Sequence, residues 1–402
     1  MQKLSHTTAL LFAVACGLAV ANVYYAQPLL NTMGADLRIP APSLGIIVTI
    51  TQTGYALGLL LLLPLGDLFN RRKLIVTQLL LAVAALLMVT QASSKFLFLG
   101  GMAAVGLLAV VTQTLVAYAA TLAAPAERGR ITGLVTSGVV LGILLARTVS
   151  GTLADLAGWR AVYGFSAALM LLTAVMLYRV LPQQDSDKTT ATYPQLLGSV
   201  FQLFIQEPVL RIRAVLALFI FAAFSVLWSS LVLPLSAPPY GFTPAVIGLF
   251  GLIGVAGALG AARSGKLADS GRGQWTTGVA LTLLLLSWLP MGFATRSLGA
   301  LVAGIILLDL AVQAVHVTNQ SMLYCIRPDA RNRMVAGYML FYSIGSGIGS
   351  IAATTVYARA GWTAVCILGA AISLGGLLFW ATTLPRKTRA QKSNTFTVAY
   401  QK

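Results

Sequence analysis

Long apolar runs separated by short polar breaks organise this chain. They fall near residues 8–30, 44–66, 74–92, 97–121, 131–154 and 161–181, and resume near 212–234, 245–265, 275–294, 298–324, 334–357 and 362–384. Each run has about 20 residues, the length a helix needs to cross the hydrocarbon core of a bilayer. None alternates apolar and polar positions with the period of two that a membrane barrel requires. The pattern predicts an all-α membrane protein with twelve transmembrane helices. The polar stretch holding Asp185, Asp187 and Lys188 is the longest break. It divides the chain into a six-helix bundle over 1–181, a linker over 182–208 and a second six-helix bundle over 209–385, with a basic tail over 386–402.

The first run admits a second reading, because Lys3, an apolar stretch and the small residues Ala19-Val20-Ala21 resemble a cleaved signal peptide. The run continues past that point to Leu30 without a break, which favours a retained helix.

Composition narrows the class. Of 402 residues, 58% are hydrophobic and 9% charged, with a mean hydropathy of +0.85. Soluble domains carry about 25% charged residues, so this chain cannot cover a water-facing surface. The net charge of +17 suggests nucleic acid only until the positions are read. If both termini lie inside, 21 cations fall on the cytoplasmic side, among them Arg71, Arg72, Lys73, Arg211, Arg213, Arg272 and Arg333. Five fall outside: Arg38, Lys95, Arg160, Arg296 and Arg359. That asymmetry is the positive-inside signal, and it reports orientation and contact with anionic lipid instead of a nucleic-acid partner. Cys16, Cys325 and Cys366 show no metal or redox spacing and read as free apolar thiols. No metal or cofactor is expected. The phosphate-loop, zinc-protease and nucleophile-elbow patterns are all missing from the sequence, so no enzyme is expected either.

Two charges break the apolar pattern. Asp309 is the one acid lying well inside a run, and at helical spacing Asp309, Gln313, His316 and Gln320 project from one face of the tenth run. A carboxylate at the bilayer centre costs roughly 2.5 to 3.5 kcal/mol on insertion scales, so it must face a cavity or a partner. Asp309 is therefore the candidate for ion coupling or substrate binding, the alternative being a structural acid packed between helices. Arg147 is the one cation inside a run. It lies at a depth within roughly 3 Å of Asp309, taking 1.5 Å per residue. His316 can exchange protons near neutral pH, or serve as a packed histidine. Polar and aromatic residues at midspan supply candidates for a substrate cavity: Asn22, Tyr25, Gln27, Gln52, Tyr55, Gln113, Trp228, Gln313, Gln320 and Tyr342. The alternatives for these are interface anchoring and helix-to-helix bonding.

The two halves also repeat. An offset of 203 carries Pro125 to Pro328, Arg128 to Arg331, Arg130 to Arg333, Gly158 to Gly361 and Trp159 to Trp362, and an offset of 202 carries Asp67 to Asp269. Equivalent bundles that rock about a midplane site are how alternating access is built.

Gly265, Leu267, Ala268, Asp269 and Arg272, with the weaker first-half copy Leu65, Asp67, Arg71 and Arg72, resemble the signature of the major facilitator superfamily. In the first copy, Leu63 and Gly66 stand where the signature has Gly and Ala. The resemblance covers essentially the whole chain. It implies that Asp67, Arg71, Arg72, Gly265, Asp269 and Arg272 form a conformational gate at the cytoplasmic face. Gly138-x-x-x-Gly142, Gly151 and the turn Gly158-Trp159-Arg160 resemble the fifth helix of the drug/proton antiporters in that family. Met102, Val105 and Gly106 replace that group's polar fourth-helix pattern, so its fourth-helix proton relay does not carry over. In the family architecture the fifth helix faces the eighth and tenth, which would let Arg147 pair with Asp309 across the cavity.

The expectation is a proton-coupled secondary transporter of the cytoplasmic (inner) membrane that exports small, partly apolar compounds. Its partners would be a small-molecule substrate, protons and lipid, with the chain acting as a monomer. Uptake of a small polar or anionic metabolite at Arg147, or a non-transporting sensor on a transporter fold, are the alternatives.

Overall fold

A computed structural model describes residues 6–123, 127–182, 192–254, 271–324, 326 and 331–384, and all regular structure among them is helical. The first span runs as His6–Tyr24, tightens into a 3-10 turn at Gln27–Leu29 where Pro28 offers no amide, and resumes as Leu30–Asp36. The apolar segment thus reaches Asp36, beyond its expected end. The second span is Ile46–Leu61, the third Arg71–Thr90, the fourth Lys95–Leu108 continued by Val111–Leu122, the fifth Arg128–Ala157 and the sixth Trp159–Val180. A linking helix, Tyr193–Gln206, leads into the seventh span, Pro208–Ser230. The eighth begins as Pro244–Leu249 and Phe250–Gly254, and the ninth includes Gly273–Leu286 and Trp288–Met291. The tenth is Leu298–Tyr324, and Arg331–Thr382 carries the eleventh and twelfth.

Side chains help to start several of these helices. Asn70 accepts a hydrogen bond from the Lys73 amide, and Ser94 accepts one from that of Leu97, occupying donors that a helix start leaves open.

The internal repeat reappears in the backbone. Gly158 has φ 80°, Gly361 has φ 71°, and each is followed by tryptophan. A left-handed residue between two helices turns the chain sharply, and only glycine takes that conformation without steric cost. Each tryptophan then ties its turn to a neighbour in its own half. Trp159 donates to Asp36 at 3.1 Å, and Trp362 donates to the Met291 carbonyl at 2.8 Å.

Helix packing within each half pairs the first span with the fifth, the second with the fourth and the third with the sixth, and likewise the seventh with the eleventh–twelfth segment and the ninth with the tenth. Across the halves, the second span meets the eleventh and the fifth meets the eighth. Large apolar side chains such as Leu80, Leu81, Phe96, Leu171, Leu172 and Ile367 remain exposed on the outside of the spans, a surface that lipid can cover and water would not.

At the end holding residues 36–49 and 347–355 the halves are sewn together. The Gly45 amide donates to Thr354 Oγ1 at 3.0 Å, Thr49 donates to the Gly347 carbonyl at 2.7 Å, and Ser350 donates to the Gly45 carbonyl at 3.2 Å. Thr148 on the fifth span donates to the Gly248 carbonyl at 3.0 Å, and Asn31 donates to Ser236 at 2.6 Å. Beyond them Asp155 accepts from the Ala245 amide at 3.1 Å, placing a carboxylate on the first turn of the eighth span. The opposite end, which carries the basic loops, holds a cavity between Leu59, Pro64 and Arg71 of the first half, Arg333 and Ala336 of the second, and Leu196 and Val200 of the linking helix.

One cation departs from its expected place. Arg213 belongs with the loop charges in the sequence reading, yet it is 1% exposed, inside the second half, donating to Thr277 and Asn319 at 3.2 Å each.

Candidate functional site

Arg147 and Asp309 are both buried, at 2% and 4% exposure, and lie on either side of the boundary between the halves. The Arg147 Nε donates to Gln27 Oε1 at 2.6 Å, so the 3-10 turn of the first span positions the guanidinium from within its own half. From the other half, the indole of Trp228 stacks under it, with the guanidinium carbon 3.8 Å from the ring centroid. Tyr24 and Phe224 stand farther out, at 5.4 and 5.5 Å. A cation on a ring face is attracted by the ring quadrupole, more so where water is excluded. The same indole donates from Nε1 to Asp309 Oδ1 at 3.2 Å.

The expected direct pair of Arg147 and Asp309 is therefore replaced by a bridge. Among the described residues no ion pair joins the two side chains. Trp228 touches both charges, the cation on its face and the carboxylate at its edge, and the two charges still attract each other across the gap. Arg147 Nη2 is buried without a hydrogen-bond partner.

Two glycines near the start of the eighth span make room for this arrangement. A Cβ on Gly251 would stand 2.9 Å from the Arg147 Cβ, and one on Gly254 would stand 3.0 Å from Asp309 Oδ2. Residues at i and i+3 on one helical face thus clear space for the two charges.

The other expected lining residues divide into two sets. Gln52, Tyr55, Gln113 and Tyr342 converge beside the first span. The Tyr342 hydroxyl shares a hydrogen bond with that of Tyr24, its ring packs on Phe221 at 4.0 Å and on Tyr55 at 6.4 Å, and Gln52 stands beside it. Gln113 donates to the Tyr55 hydroxyl at 3.2 Å. Asn22 and Tyr25 depart from expectation, since both are used inside the first half. Asn22 accepts from Ser166 on the sixth span at 2.6 Å, and Tyr25 packs edge-on against Tyr163. They sit on the face of the first span that its own bundle covers, which a midspan position alone does not reveal.

On the tenth span, His316 bonds through Nδ1 to the Tyr338 hydroxyl at 2.8 Å and packs edge-on against Phe221. It lies two turns from Asp309. Gln313 and Gln320 are half-buried on the same side.

Of the expected gate residues, Gly265 and Asp269 lie outside the described residues. Asp67 closes the turn Leu63–Asp67, but its side chain also lies outside the described set. Arg71 donates to the Gly66 carbonyl and Thr121 and lies over Tyr118. The Arg72 guanidinium lies 4.4 Å from the Tyr178 ring centroid and donates to that residue's carbonyl. Arg272 is exposed at the start of the ninth span.

Tyr24, Phe221, Phe224, Tyr338 and the pair Gly251 and Gly254 were missed. Aromatic residues inside an apolar run carry no distinguishing signal. The spacing Gly248-x-x-Gly251-x-x-Gly254 is legible as a close-packing face once a partner charge is suspected.

A two-sided polar site between sequence-related halves, closed at one end, is the architecture of a carrier. The Major Facilitator Superfamily model matches residues 11–286 and 240–399, and the chain belongs to that family. It is 51% identical over 378 residues to the "Uncharacterized transporter YgaY" of Escherichia coli O157:H7, covering 94% of this chain and 96% of that one. It is 30% identical over 381 residues to the "Probable transporter SCO4007" of Streptomyces coelicolor, covering 94% and 87%. In fold it is similar to the crystal structure of a bacterial homologue of the human lysosomal transporter Spinster in an inward-facing, unoccupied conformation. The TM-score there is 0.74 at 15% identity, over 94% of this chain and 98% of that one. The protein is a multi-pass membrane transporter of the major facilitator superfamily.

Proposed function

We propose that this transporter couples a proton gradient to the export of small, partly apolar compounds by antiport, with Asp309 as the group that takes and releases the proton. The observation that carries this reading is the buried carboxylate at the boundary between the halves, held to the cation of the opposite half through Trp228. Protonation removes the charge that such a site must stabilise, so it shifts the balance between conformations without contact with the substrate. The rings of Tyr24, Tyr55, Phe221, Phe224, Trp228 and Tyr342 supply an apolar lining, and Gln27, Gln52, Gln113, Gln313, Gln320 and His316 supply the few polar points. Arg147 serves the coupling from the other half.

In this scheme residues 1–181 and 209–385 are the two rocking bundles, and Asp67, Arg71, Gly265, Asp269 and Arg272 act on the cytoplasmic gate. The protein works as a monomer in the inner membrane with both termini in the cytoplasm, as the 21 to 5 division of cations supports. The cavity at the basic end then opens to the cytoplasm.

A second reading, uptake of an anionic metabolite, draws on the buried and unpartnered Arg147 Nη2, which would meet a carboxylate once the halves part. One experiment separates the two. Purified protein in liposomes under an imposed pH gradient is screened for counterflow against a compound library. Expulsion of apolar amines or neutral aromatics against inward proton flow supports export, and co-accumulation of carboxylates with protons supports uptake. Gradient-driven transport undiminished in Asp309→Asn would overturn proton coupling at this site.

A further inference from the structure

We infer that Trp228 is the positioning residue through which the charge on Asp309 controls the grip between the halves. The inference rests on the coupling role proposed for Asp309.

The geometry assigns the face and the edge of one indole to two different partners. Trp228 belongs to the seventh span and Asp309 to the tenth, both in the second half, whereas Arg147 belongs to the fifth span of the first half. Among the contacts that cross the boundary at this depth, the one that involves a charge in closest reach of Asp309 is the stack of the Arg147 guanidinium on the indole face, beside the Tyr24–Tyr342 bond and the approach of Gly251 to Arg147. The hydrogen bond from Nε1 to Asp309 fixes the angle of that face. A charged carboxylate accepts this bond about twice as strongly as a neutral acid does. Its negative charge also draws the indole proton outward and enriches the ring, which strengthens the attraction for a cation on the face. Protonation of Asp309 weakens both effects together. The ring is then free to turn, and the cation of the first half loses the surface that holds it.

The surroundings leave this path intact. Arg147 is the charged group facing Asp309 from the fifth span. The seventh span presents the indole, and the eighth presents Gly254, which has no side chain. The nearest titratable neighbour on the tenth span is His316, two turns away and engaged with Tyr338. The stack coexists with the bonded end at Gly45, Thr49, Ser350 and Thr354, so loosening it favours the opening of that end.

The test needs no substrate. Spin labels on Ala41→Cys and Arg359→Cys, in a background without the native cysteines, report the separation of the halves at the bonded end in liposomes as pH is varied. In the wild type, that end opens as pH falls. Trp228→Phe keeps a ring and removes the donor, so the carboxylate is less stabilised and protonates at higher pH. The opening midpoint moves alkaline by about one pH unit, the size of one charge-assisted hydrogen bond. Arg147→Lys keeps the charge and loses the planar stack, and its opening loses most of its dependence on pH. A wild-type midpoint in Trp228→Phe together with a flat response in Asp309→Asn overturns the relay and leaves the coupling acid in place. A full wild-type response in Arg147→Lys likewise overturns it, since a through-space field would then suffice. A wild-type response in Asp309→Asn overturns the coupling reading itself.

Discussion

A charge inside an apolar run is costly enough to advertise itself, which is why Asp309 and Arg147 were legible from sequence and stand in one site. Their exact relation was not legible, because depth along two helices fixes proximity but not what lies between. Trp228 was visible only as one midspan aromatic among several, and Tyr24 and Phe224 carried no signal at all. Asn22 and Tyr25 misled for the converse reason, since a polar position says that a partner exists but not which face of the helix holds it. The site makes a sharp prediction at this scale. Asp309→Asn, nearly identical in size and permanently neutral, should reduce accumulation against a gradient to background while exchange between equal concentrations survives. Counterflow and pH-driven uptake in the same liposomes check it. A second prediction concerns the space beside that acid. Gly254→Val places a branched side chain where a first carbon already stands 2.7 Å from Leu144 Cδ2 and 3.0 Å from Asp309 Oδ2. Expression and folding should persist, and coupled transport should fall at least tenfold, as measured against Gly254→Ala for a graded effect.

The described parts of all twelve apolar runs are helical, though not always with the expected ends. Nine of the described helical segments are long and apolar enough to cross a membrane. Dividing Arg331–Thr382 at Gly361, and adding the shorter described pieces of the eighth and ninth spans, recovers the twelve. Boundaries slip where backbone chemistry and hydropathy disagree, as at the Pro28 turn, where the apolar run continues but the helix must tighten. Contacts between elements were beyond the sequence, because Ser, Thr and Gly at a close crossing look the same whether they join helices of one half or of two. The bonded end rests on such residues. Thr354→Val keeps the shape of the side chain and leaves the Gly45 amide without its acceptor. An unsatisfied buried donor costs about 1–3 kcal/mol, so the population open at that end should rise roughly tenfold. Faster labelling of a cysteine at Ser43 measures this, and an unchanged rate would remove the Gly45–Thr354 bond from the gate. Thr53→Val, whose hydroxyl bonds only to the Thr49 carbonyl of its own helix, is the control.

For the whole molecule, orientation decides what the closed end and the cavity mean. The cavity beside Arg71 and Arg333 lies at the end that gathers the basic loops, and the bonded end lies at the other. Cations are held on the cytoplasmic side during insertion, and a ratio of 21 to 5 far exceeds what a random assignment of short loops would leave. Arg213 weakens that count by one, since it is buried among Thr277 and Asn319, but moving a single cation does not change its sign. On the orientation proposed above, the cavity faces the cytoplasm and the bonded end lies on the outer side. A membrane-impermeant thiol reagent should label a cysteine at Gly299 in intact cells and leave one at Lys73 unlabelled until the membrane is opened. Both positions are exposed beside span ends, so access and not burial sets the outcome. The reverse labelling would invert the molecule. The cavity would then open outward, and the sense in which a proton at Asp309 drives the cycle would have to be exchanged with it.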